Sequence, residues 1–597
     1  MTTPPEQRIR TLLTTLYGEE VGERCWLRLR RRLESWRAQI AAQPARRPAK
    51  LSEQDAILIT YGDQFNDPPE PPLRTLKRFL DRHLAGCISG VHILPCFPYS
   101  SDDGFAVIDF MRVDPGLGDW DDIAALGQDY RIMLDAVINH VSAQSAWFQA
   151  FRRGEKPYAD YFIRVAPDTD LSQVVRPRAL PLLTPVETEN GVQQVWTTFS
   201  ADQVDLNYAN PDVLLDITDV LLEYVRRGAE IIRLDAIAYL WKEVGTPCIH
   251  LPQTHLVIKL WRAVLDAVAP DVLLITETNV PHAENVSYFG QPLPGSDRTD
   301  EAQLVYNFTL APLTLHALHT GDVRRLQEWV ATLSTPVAGA MYFNFIASHD
   351  GIGVRPAEGI LSPEEVQALV DRTLAHGGQV SYKGDADGSR SVYELNTTLY
   401  DFLNDPARPQ PQVDVRRFLA SQVILLSLAG IPGIYVHSLF GSRNCHHCYA
   451  ETGRVRSLNR EKFELSDLEA RLRSPRHHEG RVFAGYRRLL RVRRTRPAFR
   501  PDGQQRVLHL HRAVFSLLRS APVGEGSVET DVLLCLVNVS PNAVQVRLPA
   551  ELGYGHRWRD LLSGDHLVES VVPLRGYQSR WLVPDDENNE AGPAGPA

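Results

Sequence analysis

The sequence has little cysteine and no long apolar run. Only seven of its 597 residues are cysteine and four are methionine. No stretch of about 18 apolar residues occurs, which predicts no membrane-spanning helix, and the start, MTTPPEQRIR, has no apolar core like that of a signal peptide. The net charge is −10, whereas nucleic acids and anionic membranes require a basic surface. We therefore expect a cytoplasmic protein with neither nucleic acid nor membrane as a partner.

The cysteines are odd in number and stand mostly in apolar surroundings, which predicts reduced thiols. One pair, Cys445 and Cys448 in GSRNCHHCYAETG, has the spacing of a metal or redox motif. Zinc sites usually need a second ligand pair, and none follows. A redox pair should open a helix after a strand, whereas this segment is predicted to be a loop. We therefore predict no metal and no cofactor, and the role of the pair stays open.

What the sequence does contain is a repeated alternation of short apolar strands and amphipathic helices. It begins at Ala56, and its strands are AILITYG, GVHILP, RIMLDAVI, EIIRLDAI, DVLLITET and MYFNFIA. Such alternation is typical of a parallel sheet with helical crossovers. Polar residues close most of these strands, as in a (β/α)8 TIM barrel, where one face collects the functional groups. An open doubly wound sheet, the alternative, would place its ligand at one switch point.

The length predicts two to four domains, and their boundaries follow from changes in pattern. Residues 1–50 form an N-terminal helical extension, with helices at Arg8–Tyr17 and Glu19–Ile40. Residues 51–500 form the catalytic α/β barrel, with inserted subdomains at about 141–208 and 351–404. The second insertion contains GGQVSYKGDADGSRS, which is predicted to be a long mobile loop. Residues 501–585 form a C-terminal all-β domain, and residues 586–597 are predicted to be disordered.

Three acids at predicted strand ends point to cleavage of a glycosidic bond. Asp235 follows Arg233 by two residues, so both side chains point the same way and the cation can keep the acid ionised. Glu277 closes the apolar run VLLIT, a setting that raises a carboxyl pKa and suits an acid/base. Asp350, beside His349, is a third acid that can stabilise an oxocarbenium-like state. Each segment alone could equally be a structural ion pair; together they predict a retaining double displacement.

At these residues the chain resembles the α-amylase-type retaining glycoside hydrolases, and within them the sucrose phosphorylase branch. The resemblance runs from about Ile57 to Ser579 and includes HILPCFPYSSDDGFAVIDF, WTTFSADQVDLN and GRVRSLNR. It implies that Asp235 is the nucleophile, Glu277 the acid/base and Asp350 the transition-state stabiliser. For the glucosyl group it implies binding by Asp102, Phe105, His140, Phe199, Gln203, Arg233, Tyr239, His349 and Arg456. For phosphate or the acceptor it implies Arg178, Asn279 and Tyr393.

Departures from the sucrose enzymes bear on the acceptor. The N-terminal extension is not typical of them, Asn279 stands where a His usually follows the acid/base, and Ser391 replaces an Asp. Loss of that acid would relieve repulsion of an anionic acceptor. The extension and TETNVPH resemble glucosylglycerate phosphorylases, which implies the small-molecule substrates glucosylglycerate, an α-glucoside, and inorganic phosphate, with α-D-glucose 1-phosphate and D-glycerate as products. The alternatives are phosphorylases for sucrose, sucrose 6′-phosphate or glucosylglycerol, a hydrolase or transglucosidase, and a catalytically inactive sugar-binding barrel.

Overall fold

The computed structural model describes residues 3–178, 180–384, 390–521, 531–552, 557–568 and 570–585. The tail predicted to be disordered, residues 586–597, lies outside the described residues. Within the described part of the chain, no helix is both long enough and apolar enough to cross a membrane.

The centre of the molecule is a closed barrel of eight parallel strands. Each strand pairs with the strands next to it in sequence, and β8 also pairs with β1, which closes the barrel. The strands are β1 (Ile57–Thr60), β2 (Gly90–Ile93), β3 (Arg131–Ala136), β4 (Ala229–Leu234), β5 (Leu273–Thr276), β6 (Leu304–Asn307), β7 (Met341–Asn344) and β8 (Ile431–Tyr435). The predicted (β/α)8 barrel is confirmed and the open doubly wound sheet is wrong. Strand β6, in EAQLVYN, was not predicted.

Every residue of these eight strands is buried. One face of each strand packs inside the barrel and the other against surrounding helices, so the strands read as apolar runs without alternation. Arg131 and Glu230 pair at the amino ends of β3 and β4, whereas Asp135 and Arg233 lie near the carboxyl ends of the same strands. These ends form one rim of the barrel, and that rim carries the candidate site.

The α-helices surround the barrel and extend beyond it. They are α1 (Pro5–Tyr17), α2 (Glu19–Ala41), α3 (Pro72–His83), α4 (Trp120–Asp129), α5 (Ala146–Arg152), α6 (Pro211–Arg226), α7 (Pro252–Val268), α8 (His282–Val286), α9 (Leu310–Thr320), α10 (Arg324–Val330), α11 (Pro363–Ala375), α12 (Leu399–Leu403), α13 (Pro411–Ser427), α14 (Val436–Phe440), α15 (His446–Thr452), α16 (Leu465–Arg473) and α17 (His478–Arg493).

The N-terminal extension is a helical hairpin that packs on the outside of the barrel against α6 and α7. Helix α2 buries residues at three-to-four spacing, among them Trp26, Leu29 and Leu33, so one apolar stripe faces inward. At the edges, Arg8 pairs with Asp266 of α7 and Arg32 with Asp216 and Asp219 of α6. These helices therefore cover barrel helices that would otherwise face solvent.

Both predicted insertions contain regular structure. Residues 141–208 contain α5, the hairpin of Leu183–Thr188 with Gly191–Trp196, and the short strand Gln203–Asp205, which pairs with His140–Ser142. In the second insertion the predicted long loop is wrong, because Gln379–Gly384 and Arg390–Asn396 form an antiparallel hairpin. Ile352–Gly353 joins its edge, and α11 begins with a capping box of Ser362 and Glu365. The hairpin tip, residues 385–389, lies outside the described residues.

The C-terminal region is all β. Its six-stranded sheet runs in the order Gln504–Val507, Val514–Ser520, Val532–Asn538, Ser579–Pro584, Trp558–Asp560, His566–Leu567, and Val544–Arg547 pairs with Val571–Leu574 beside it. The indole of Trp581 donates to Ser427 Oγ in α13 at 3.0 Å and its ring packs on Phe499. This contact joins the sheet to the barrel on a side away from the predicted site.

Candidate active site

One cavity at the carboxyl rim of the barrel brings together all the predicted site residues except Arg233. Its predicted lining residues are Asp102, Phe105, His140, Arg178, Phe199, Gln203, Asp235, Tyr239, Glu277, Asn279, His349, Asp350, Tyr393 and Arg456. Asp235 and Glu277 come directly after β4 and β5, so adjacent strands deliver the two acids side by side. Residues more than 350 positions apart in the chain thus meet in one pocket.

Arg233 does not line this cavity, but its side chain contacts two of the acids that do. The side chain is buried and pairs with Asp135, with Asp235 Oδ1 at 2.6 Å and with Glu277 Oε2 at 3.9 Å. One guanidinium therefore holds both candidate catalytic carboxyls, and it is much closer to Asp235.

Glu277 has a second fixed partner. Its Oε2 accepts a hydrogen bond from the backbone N–H of Ala236 at 3.0 Å. Ala236 has left-handed backbone angles, φ 47° and ψ 32°, which are strained for a residue with a Cβ. This strained turn directly after Asp235 aims its N–H at Glu277, and so couples the positions of the two carboxyls.

Burial sets the protonation of this pair. It raises the pKa of Asp235 well above its usual range, although Arg233 opposes the rise, and the charge of Glu277 adds to it. Burial also raises the pKa of Glu277, with a further contribution from Asp350. The expectation that Arg233 keeps Asp235 ionised is therefore wrong for the protein without substrate, because burial and the charge of Glu277 outweigh the effect of Arg233 on the Asp235 pKa.

Asp350 has a different electrostatic setting. Although burial opposes ionisation, Arg456, His349 and Arg460 hold the pKa of Asp350 well below its usual value. Arg456 reaches Asp350 Oδ1 at 2.5 Å, and its other side donates to Glu394 at 2.7 and 3.2 Å. Of the three acids, Asp350 is thus the one whose surroundings most favour the ionised form.

Two of these charged neighbours were missed by sequence reasoning. Glu394 lines the cavity directly after Tyr393, but it lies on a strand of the hairpin that was predicted to be a loop. Arg460 approaches Asp102 at 3.7 Å, donates to Asp103 at 2.5 Å and to the His349 carbonyl at 2.8 Å. The signal for Arg460 was available, since it ends the GRVRSLNR segment quoted for Arg456.

Aromatic rings and histidines form the wall beside the acids. Phe105 stacks on His349, with ring centroids 4.9 Å apart and an interplanar angle of 2°. The Phe105 carbonyl accepts from His140 Nε2 at 2.8 Å and from Gln203 Nε2 at 3.0 Å. Burial lowers the pKa of His140, and lowers that of His349 to about 3, so both rings are neutral near pH 7.

The predicted acceptor residues Arg178, Asn279 and Tyr393 all line the cavity. Arg178 lines both this cavity and a neighbouring surface groove that contains Arg454 and Arg460. Tyr393 lies on the hairpin, and its carbonyl accepts from Val354 N at 3.2 Å. Ser391 is not among the cavity-lining residues and faces Lys383 across the hairpin. The predicted effect of Ser391 on the acceptor stays a prediction.

Cys445 and Cys448 differ from expectation in two ways. They form a disulfide, so the prediction of reduced thiols is wrong for this pair, whereas Cys25, Cys87, Cys96, Cys248 and Cys535 are free and buried. The pair also opens helix α15, because Cys445 Sγ caps it by accepting from Cys448 N at 3.3 Å. His447 places a ring nitrogen near both sulfurs, but sulfurs joined to each other are not thiolate ligands for a metal.

Known proteins place this arrangement in a family. Residues 86–390 match the model of the α-amylase catalytic domain. The chain is 48% identical to a glucosylglycerate phosphorylase of Spirochaeta thermophila, over 97% of this chain and 99% of that one. It is 49% identical to a glucosylglycerate phosphorylase of Allomeiothermus silvanus, over 97% and 98% of the two chains.

Among solved structures, sucrose 6F-phosphate phosphorylase from Thermoanaerobacter thermosaccharolyticum superposes with a TM-score of 0.70. The two share 24% sequence identity, and the match covers 82% of this chain and 95% of that one. This likeness supports the fold, while the relatives of nearly equal length define the group. The resemblance read from the motifs is confirmed: the chain belongs to the α-amylase family and, within it, to the glucosylglycerate phosphorylases.

Proposed function

We propose that the protein transfers an α-glucosyl group from 2-O-α-D-glucosylglycerate to inorganic phosphate, giving α-D-glucose 1-phosphate and D-glycerate with retained configuration. The observation that carries the proposal is the pair of buried carboxyls on one guanidinium, Asp235 and Glu277 on Arg233. The pair lines a cavity that Arg178 also lines. A retaining transfer needs a nucleophile and an acid/base close together, and a phosphorylase also needs a cation for phosphate.

In the first half of the reaction, Asp235 attacks the anomeric carbon and forms a glucosyl ester. Burial raises the pKa of both acids, which favours a shared proton on the pair. Arg233 contacts Asp235 at 2.6 Å and Glu277 at 3.9 Å, which favours the negative charge on Asp235 and the proton on Glu277. Glu277 then gives this proton to the glycerate oxygen as the bond to the sugar breaks.

Asp350 and Arg456 act on the glucosyl side. Ionised Asp350 lies where it stabilises positive charge on the ring carbon and oxygen in the transition state. Asp102, His140, Gln203 and Arg456 offer hydrogen-bonding groups around the same space. The stacked rings of Phe105 and His349 supply an apolar wall that disfavours water beside the ester.

In the second half, phosphate takes the place of glycerate and attacks the ester from the face that glycerate left. Glu277, now ionised, accepts the phosphate proton, and glucose 1-phosphate leaves with its original configuration. Arg178 lines both the cavity and a neighbouring surface groove, so a cation stands on the path of an incoming anion.

The alternative functions differ from the proposed one in the acceptor, in the group that attacks the ester, or in having no activity. Sucrose, sucrose 6′-phosphate and glucosylglycerol phosphorylases use the same acids with another acceptor, and a hydrolase or transglucosidase uses water or a sugar. An inactive barrel has no use for three neighbouring acids, whose mutual repulsion costs stability. A cytoplasmic location, which cell fractionation tests, belongs to the same proposal.

The test is release of glucose 1-phosphate from glucosylglycerate, glucosylglycerol, sucrose and sucrose 6′-phosphate, with and without phosphate. We expect one strong, phosphate-dependent signal with glucosylglycerate, and none from the Asp235→Asn variant. A higher kcat/KM for sucrose would overturn the proposed acceptor but keep the mechanism. Glucose release that does not depend on phosphate would mean a hydrolase, and the role of Arg178 would be wrong.

A further inference from the structure

Arg355 is a cation beside the cavity, although not one of its lining residues, and neither the sequence motifs nor the mechanism gave it a role. It opens the 3-10 turn Arg355–Ala357, two residues after the strand Ile352–Gly353 and five residues after Asp350. Its side chain is partly buried, and its Nε is fully buried without a hydrogen-bond partner. The protein therefore leaves part of this charged donor group unsatisfied.

Backbone contacts fix Arg355 beside the acceptor residues. Val354 N donates to the Tyr393 carbonyl at 3.2 Å. A Cβ on Gly353 would come within 2.4 Å of the Asn279 side chain, so the chain just before Arg355 packs directly on Asn279. Both Tyr393 and Asn279 line the cavity. Arg355 thus stands on a segment that is held against two residues of the cavity wall.

Arg355 and Arg178 both act on one cavity-lining hydroxyl. Burial raises the pKa of Tyr239 to about 12, while both cations oppose that rise, Arg355 more strongly. The two guanidinium groups therefore lie around Tyr239, which itself follows Asp235 by four residues.

The lack of anionic partners sets these two arginines apart. Arg233, Arg456 and Arg460 each pair with one or more carboxylates. Among the described residues, by contrast, no carboxylate lies within 4.0 Å of Arg178 or Arg355. The cations on the glucosyl side are thus neutralised by the protein, whereas those on the acceptor side have charge left for a ligand.

We infer that Arg355 is the acceptor-specificity residue of this enzyme: with Arg178 it binds the carboxylate of glycerate and, after glycerate leaves, the phosphate that replaces it. The inference rests on the proposed function and adds to it the group that selects an anionic acceptor. A planar guanidinium can donate two parallel hydrogen bonds to either anion, so one subsite can serve both in turn. A neutral acceptor such as glycerol would leave the two cations unpaired, and the protein would reject it for that reason.

The experiment uses α-glucosyl fluoride as the donor, because its fluoride leaving group needs no phosphate or carboxylate subsite. The full-length enzyme is given equal concentrations of D-glycerate and glycerol, and the ratio of glucosylglycerate to glucosylglycerol is measured. We expect Arg355→Gln to lower this ratio about 10- to 100-fold, the size of a lost charge-assisted hydrogen bond, and Arg355→Lys to lower it less. Total consumption of glucosyl fluoride should change little, since Arg355 does not act on the glucosyl side.

Arg325→Gln is the matched control, since Arg325 is half exposed and contacts Glu365 at 3.5 Å, and it should leave the ratio unchanged. Arg355→Gln should fold, because it leaves no carboxylate without a partner; thermal unfolding checks this, and Arg355→Lys gives a second measurement. An unchanged ratio in folded Arg355 variants, while wild type prefers glycerate, overturns this inference alone. If wild type itself shows no preference for glycerate, the proposed function fails and this inference fails with it.

Discussion

Replacing Glu394 with Gln tests how the site holds the glucosyl group. Glu394 is almost fully buried, with 2% of its side chain exposed, and accepts two hydrogen bonds from Arg456. The opposite edge of the same guanidinium contacts Asp350. Gln keeps the size of Glu but removes its charge, so Arg456 should lose its anchor on the hairpin and shift toward Asp350.

The expected loss follows from these contacts. Charge-assisted hydrogen bonds are roughly twice as strong as neutral ones, and buried bonds of this kind contribute about 1.5–3 kcal/mol. Because Gln can still accept one bond, we expect a cost of about 2 kcal/mol. At about 1.4 kcal/mol per tenfold change, kcat/KM should fall about 30-fold.

The assay compares two donors, glucosylglycerate with phosphate and α-glucosyl fluoride with glycerate. Glu394→Gln should lower kcat/KM for both donors alike, since Arg456 acts on the sugar that they share, and it should leave the glycerate-to-glycerol ratio unchanged. Glu451→Gln, at an exposed position in α15, is the control and should change neither value. A loss below about threefold in a folded Glu394→Gln protein would show that Glu394 does not position Arg456.

Three further predictions concern the acids and the disulfide. Asp235→Asn should lower turnover by at least about a thousandfold while thermal unfolding shows an intact fold; a variant that keeps a tenth of the activity would contradict its role as nucleophile. Glu277 must be protonated to release glycerate and its pKa is raised by burial, so kcat/KM should fall as the pH rises through that pKa. Glu277→Gln should lose this alkaline limb, and should be far less impaired with glucosyl fluoride than with glucosylglycerate. In unfolded protein without reductant, a thiol reagent should find five free cysteines, and seven after reduction; seven before reduction would exclude the bond between Cys445 and Cys448.

The sequence predicts the catalytic acids well because their signal is local. Asp235 and Glu277 each follow an apolar run, and consecutive parallel strands deliver their carboxyl ends to the same rim. Burial of these strands on both faces produced the apolar runs, so the pattern that identified the strands also located the acids. Residues that contact the site from distant segments of the chain lack such a signal.

The residues that sequence reasoning missed depend on contacts between distant segments. Glu394 meets Arg456 across 62 positions, from a hairpin whose strands QVSYKG and RSVYELN are half-polar and only partly buried. The polar tip between the strands made the whole stretch resemble a loop. The helix after Cys445 was missed for a related reason, since Cys is not among the residues that usually cap a helix N-terminus.

The N-terminal hairpin also bears on how the chain is made. Its partners are synthesised long after it, since Arg8 pairs with Asp266, 258 positions later. At about 5–20 residues per second, α1 and α2 wait roughly 10–50 s for α7. During that time the apolar stripe of α2, with Trp26 at its centre, has no native surface to cover.

A series of hydrogen bonds connects the N-terminal hairpin to the active-site rim. The Tyr17 hydroxyl at the end of α1 donates to the Tyr208 carbonyl at 2.9 Å, and the Tyr208 hydroxyl donates to the Ile138 carbonyl at 2.7 Å. Ile138 lies two residues before His140, in the segment that follows β3. Helices α1 and α2 therefore dock only after α6 and α7 have been made, and their docking fixes a loop that the catalytic rim needs.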